Sequence, residues 1–190
     1  MSLPTITAVS LPPQVYAHNA EHDVIVTADP DRFRPITGTY GWVKPTAGTG
    51  LWTATVTGRN EHGHPVDSGW LEYRRDEMAD DITGTLLTEI LPQRDARILL
   101  IDDQQHLIDL VSAFPAHYRW NSDEQYPDWV GLAAAGWDAV HLTDRGQWKT
   151  RIPDTGPNLY GWDIESVLWL RHAYKVGATT PAATCESATQ

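Results

Sequence analysis

Residues 137–170 decide how this chain is read. They run Trp137-Asp138-Ala139-Val140-His141-Leu142-Thr143, then a loop punctuated by glycine and proline, then Leu159-Tyr160-Gly161-Trp162-Asp163-Ile164-Glu165-Ser166-Val167-Leu168-Trp169-Leu170. Residues 167–170 are continuously apolar, rich in strand formers and too few for a helix, which predicts a strand covered on both faces. Residues 137–143 predict a second strand. Just ahead of the apolar run stand Asp163 and Glu165, among Tyr160, Trp162 and Trp169. Residues two apart on extended backbone share a face, so both carboxylates are expected in one aromatic-lined cleft. A carboxylate at the mouth of a buried strand is a candidate catalytic group, and equally an ordinary strand start.

Working outward, the 190 residues suit one domain with a core that needs no disulfides. Nine Trp and seven Tyr stand against two Phe. Tryptophan combines large apolar area with a donor that wants a partner, so beyond the core some of these rings are expected to line a pocket or an interface. The formal net charge of −11 argues against general affinity for a phosphate backbone and predicts an acidic surface. The one cysteine, Cys185, has no partner for an internal disulfide, which fits a reducing compartment. No apolar run reaches the length of a membrane span, and the start lacks a secretory pattern. The expectation is a cytoplasmic protein that does not enter membranes.

In chain order, strands are predicted over residues 14–18, 23–27, 51–57, 85–91 and 97–101, with an aromatic, glycine-rich loop over 37–50. Pro92-Gln93-Arg94-Asp95 permits a hairpin without requiring one. Asp67 reads as the N-cap of a short helix carrying Trp70, Leu71, Arg74, Arg75 and Met78. Residues 104–114 place Leu107, Ile108, Leu110, Val111 and Phe114 on one helical face. A further helix over 129–135 has Pro127 suited to its first position, Asp128 at its positive start and Gly136 as its stop. Residues 144–158 read as loop. Residues 1–177 form a single domain, and 178–190 a small, polar tail expected to be disordered or to follow the surface. The fold class is α+β: a split, strongly bent, mostly antiparallel sheet with a few short helices.

No phosphate loop, dinucleotide fingerprint, zinc-protease motif or nucleophile elbow is present. His62-Gly63-His64 reads as an exposed turn, because two histidines without a cysteine or close acid are too few for a metal. No metal site is expected.

Three segments, taken together, resemble the split-sheet ADP-ribosyltransferase superfamily. Tyr16-Ala17-His18 is similar to its His-bearing first motif. Gly50-Leu51-Trp52-Thr53-Ala54-Thr55 is similar to its second. The helix over 128–135, the strand over 137–143 and Glu165 leading Val167-Leu168-Trp169-Leu170 resemble its closing section. The likeness runs in order through most of residues 14–170, with Thr53-Ala54-Thr55 in place of Ser-Thr-Ser and Asp163-x-Glu165 in place of Gln/Glu-x-Glu.

The resemblance implies an ADP-ribosyltransferase-like fold with NAD as substrate. Glu165 would stabilise the oxocarbenium-like ribose as nicotinamide departs. Trp52 would stack on the nicotinamide, His18 would hydrogen-bond a ribose or the carboxamide, and Thr53 would orient Glu165. Lys44 would meet the pyrophosphate, and Asp163 would position the acceptor. The reaction would be transfer or NAD hydrolysis, in a toxin or phage-type effector, on a protein, nucleic-acid or small-molecule acceptor. The rival expectation is a non-catalytic acidic binding protein or inhibitor that docks a protein partner through Trp-rich surface. A third is a glycosidase-type acid pair of Asp163 and Glu165. What separates the first two is whether His18, Trp52 and Glu165 converge in one cleft.

Overall fold

A computed structural model describes residues 3–19, 33–37, 39–40, 44–45, 49–116 and 126–183. The chain opens with β1 (Thr5–Ile6), a 3-10 turn (Ala8–Ser10) and β2 (Gln14–Asn19), and β3 (Thr39–Tyr40) pairs with β4 (Lys44–Pro45) as a separate ladder. Next come β5 (Leu51–Arg59), β6 (Pro65–Ser68), α1 (Gly69–Asp76), β7 (Thr85–Pro92), β8 (Ile98–Ile101) and α2 (Gln104–Ala113). The remainder is β9 (Pro115–Ala116), β10 (Tyr126–Pro127), α3 (Trp129–Ala134), β11 (Ala139–Leu142), α4 (Asp144–Arg151), β12 (Ser166–Trp169) and β13 (Tyr174–Pro181).

The principal sheet has 9 strands in the order β1-β8-β11-β12-β5-β2-β7-β13, with β6 paired on β5. Among the described residues only β8 and β11 run parallel. The segment joining them contains α2 and α3, as a parallel pair requires a long crossover. The protein is therefore α+β, with a large, mostly antiparallel sheet and short helices. Its two halves meet at β2 and β5, which share only Gln14↔Thr55 and Val15↔Ala54, while β2 and β7 share a ladder from Gln14 to Asn19. No helix among the described residues is long and apolar enough to cross a membrane.

Alternation along the central strands divides the core. Trp52, Leu99, Val140 and Leu168 point to one side, where α2 and α3 bring Leu107, Leu110, Trp129 and Leu132. Leu51, Ile98, Ala139, Val167 and Trp169 point to the other, against Ile90, Ala173 and Tyr174. β11 and β12 are buried at every residue, which is why residues 166–169 carry no polar alternation.

Several boundaries differ from the sequence reading for local reasons. Ser68 rather than Asp67 caps α1, its hydroxyl accepting from the Leu71 amide, while Asp67 receives the Arg75 guanidinium at 2.7 Å. Met78 falls beyond the helix end. Pro127 belongs to β10, and Asp128 caps α3 by accepting from the Gly131 amide at 2.9 Å. The turn after β7 makes no hairpin, because β7 lies between β2 and β13 while β8 lies between β1 and β11. Residues 144–151, expected as loop, form α4 behind a Thr143 cap. The chain also stays in the sheet beyond Gly177: β13 continues to Pro181, its Thr179 hydroxyl hydrogen-bonded to Thr88 at 2.8 Å. The strand expected over 23–27 lies outside the described residues, as do residues 184–190.

Candidate functional site

On the helix-bearing side of the sheet, over the short β2–β5 junction, lies a pocket of about 280 Å³. Ala17 of β2, Trp52 of β5, Trp70 of α1, and Trp162 and Asp163 ahead of β12 line it. Trp52 meets Trp162 edge to face, with centroids 4.4 Å apart at 71°, and Trp129 stacks behind Trp162 at 5.6 Å. Trp162 is 1% exposed, and its indole Nε1 finds no acceptor among the described residues. Three indoles with one carboxylate at the lip make a site for a flat or cationic group, since ring faces attract positive charge.

Asp163 and Ile164 also line a second groove, between α1 and α4, so pocket and groove share a wall. Asp163 is paired to Arg151 at 3.6 Å, and its backbone carbonyl accepts from Gln147 Nε2 at 3.3 Å. Glu165 lies in the groove, two residues along, with its side chain 27% exposed. One carboxylate oxygen lies 2.8 Å from His141 Nε2. His141 is 2% exposed, on β11, and its Nδ1 has no partner among the described residues. Nε2 is therefore the ring nitrogen that engages Glu165, donating its N–H to the carboxylate.

The sequence-predicted residues are distributed unevenly around this site. Trp52 and Asp163 line the pocket, and Asp163 and Glu165 line the groove beside it. Thr53 borders the pocket, yet its hydroxyl donates to Gln14 Oε1 at 2.8 Å and accepts from Trp169 Nε1 at 3.1 Å on the opposite face. The described side chain that holds Glu165 is His141. His18 stands apart, on the face of β2 shared with Gln14 and Tyr16; it bonds Thr88 Oγ1 at 2.9 Å and stacks on Tyr16 at 5.3 Å. Lys44 enters through its backbone in β4, and the role expected of its side chain lies outside the described residues.

Trp162 belongs to the aromatic cleft that the sequence predicts, whereas His141 and Trp70 are not legible there as site residues. A lone imidazole inside Ala139-Val140-His141-Leu142 was the available signal, because a buried polar group must find a partner. Among the described residues no three His, Cys, Asp or Glu side chains are grouped to hold a metal.

Burial holds the His18 pKa below the ordinary imidazole value. The unfolded chain then takes up a proton near pH 6.5 that the folded chain resists. Stability from this residue is full above about pH 7 and falls as pH drops through about 6.5, by at most about 1.4 kcal/mol per pH unit for one proton. Urea midpoints between pH 7.5 and 5 should show a steeper acid loss for the wild type than for His18→Gln. Equal slopes would remove His18 from the acid response.

The fold and site thus define a mixed α+β protein whose Trp-lined pocket adjoins an acidic groove. No protein-family model, no curated protein and no solved structure matches this chain.

Proposed function

We propose that this protein cleaves the nicotinamide–ribose bond of NAD, as an ADP-ribosyltransferase or an NAD glycohydrolase. The observation that carries the reading is the strand order. The three segments similar to the superfamily's NAD motifs lie far apart in sequence, yet they fall on or directly before β2, β5 and β12, which are consecutive in the sheet. Nicotinamide in NAD is a flat cationic ring, which suits the Trp52–Trp70–Trp162 pocket. As the C1′–N bond breaks, its electron pair leaves with neutral nicotinamide and positive charge develops on the ribose. Glu165, fixed by His141, supplies negative charge to that centre. Water or an acceptor hydroxyl, amine or guanidine then bonds C1′ and loses its proton, for which Asp163 is the adjacent carboxylate.

A second reading, docking without chemistry, is favoured because His18, Trp52 and Glu165 do not converge in one cleft: His18 is committed to Thr88 on the far face of β2, Trp52 lines the pocket and Glu165 lines the groove. Nicotinamide release by the purified protein, compared with Glu165→Gln, separates the two. The NAD reading expects release by the wild type and a loss of at least about 100-fold in the variant, the scale for removing one charge-stabilising group. A folded wild type that releases no nicotinamide and shows no NAD binding by calorimetry would overturn the NAD reading and leave docking as the reading to pursue.

A further inference from the structure

We infer that the groove between α1 and α4 docks a basic segment of a partner protein, anchored on the outward face of α4. This does not depend on the NAD reading. Trp148 is 76% exposed, Ile152 77% and Tyr160 61%. Trp148 lies in the last turn of α4, and Ile152 is the residue that caps its end. Arg151 links them to Tyr160, its guanidinium 5.8 Å from the ring centroid. Single exposed apolar side chains are ordinary; three large ones around one helix end mark a contact surface.

The ground beside this patch identifies the occupant. Trp148 and Arg151 also line the groove, whose other walls carry Glu72, Asp76 and Glu77 of α1 and Asp144 of α4. None of those four carboxylates enters an ion pair with a described residue, whereas Arg151, the one cation among the described lining residues, is already paired to Asp163. Glu72 and Asp76, four apart on α1, repel each other across one helical turn. Such a surface favours whatever brings positive charge. A small cation would leave the apolar patch exposed, and a nucleic acid or an anionic membrane would be repelled. A Lys- or Arg-bearing peptide segment with an apolar residue supplies both halves, and aromatic anchors of this kind concentrate binding energy.

The test uses a fluorescein-labelled 12-residue peptide of alternating lysine and leucine, with a glutamate–leucine peptide as the reversed-charge probe. Polarisation should report binding of the lysine peptide alone, weakened as salt rises. Trp148→Ala and the pair Glu72→Gln with Glu77→Gln should each weaken it tenfold or more. Glu61→Gln, an exposed acid in the turn after β5, should leave it unchanged. Absence of binding, equal weakening by Glu61→Gln, or full affinity in Trp148→Ala would each overturn the inference. So would a dimer in sedimentation that Trp148→Ala dissolves, since the occupant would then be a second copy. Circular dichroism checks that each surface variant is folded. The peptide measurements use no NAD and the nicotinamide-release measurement uses no peptide, so failure here is distinguishable from failure of the NAD reading.

Discussion

Trp169→Ala is expected to destabilise the protein by about 3–5 kcal/mol, the range for deleting a fully buried Trp or Phe. Trp169 has no exposed surface and sits in β12 between β11 and β5. Its indole donates to Thr53 Oγ1 at 3.1 Å and meets Tyr174 at 5.1 Å and 67°. Truncation therefore opens a cavity in the middle of the sheet, strips Thr53 of a donor and takes away the ring that Tyr174 packs against. For a domain of this size each kcal/mol moves the melting temperature by about 2–4 °C, so a fall of roughly 6–20 °C is expected. Trp169→Phe keeps most of the apolar area and loses the N–H. Its smaller cost, about 1–3 kcal/mol, isolates the hydrogen bond to Thr53. Thermal and urea unfolding of both variants are the measurements. An alanine variant within 1 kcal/mol of wild type would show that β12 is not covered on both faces.

The same strand shows what local sequence can and cannot specify. Val167-Leu168-Trp169 announces a strand buried on both sides, because nothing in it alternates. It does not say which strands lie beside it, and that long-range choice builds the site. Glu165 meets His141 only because β12 pairs antiparallel with β11, with Val167 opposite His141. Trp52 and Thr53 show the opposite error. Adjacent residues on a strand point to opposite faces, so the ring enters the pocket while the hydroxyl serves the packing behind it. α4 was hidden by Gly146 and by the prolines that follow, although the Thr143 cap, Asp144 in the first turn and Lys149 and Arg151 in the last all signalled a helix. The end of β13, residues 178–181, reads as tail from its small, polar composition. Its threonines are β-branched and find cross-strand partners on β7, which composition does not reveal.

Gly146 carries the second large effect. Alanine normally gains about 1 kcal/mol over glycine inside a helix. Here a Cβ would collide with the backbone carbonyl of Ile101 and lie 3.1 Å from Leu142 Cδ1. β8, which holds that carbonyl, is itself clamped between β1 and β11, so α4 must move instead. Overpacking of this kind costs about 1–3 kcal/mol or more, which outweighs the propensity gain and makes Gly146→Ala destabilising. The displacement also has a functional address. Gln147 of α4 donates to the backbone carbonyls of Trp162 and Asp163, and Arg151 pairs with the Asp163 carboxylate. Lifting α4 thus loosens the lip shared by the Trp pocket and the acidic groove without altering any residue that lines either. Urea unfolding should show the loss of stability. In the fraction still folded at 15 °C, nicotinamide release and lysine-peptide binding should weaken together. A Gly146→Ala protein more stable than wild type would mean that α4 does not rest on the β8 backbone, and that the glycine is there for some reason other than close approach.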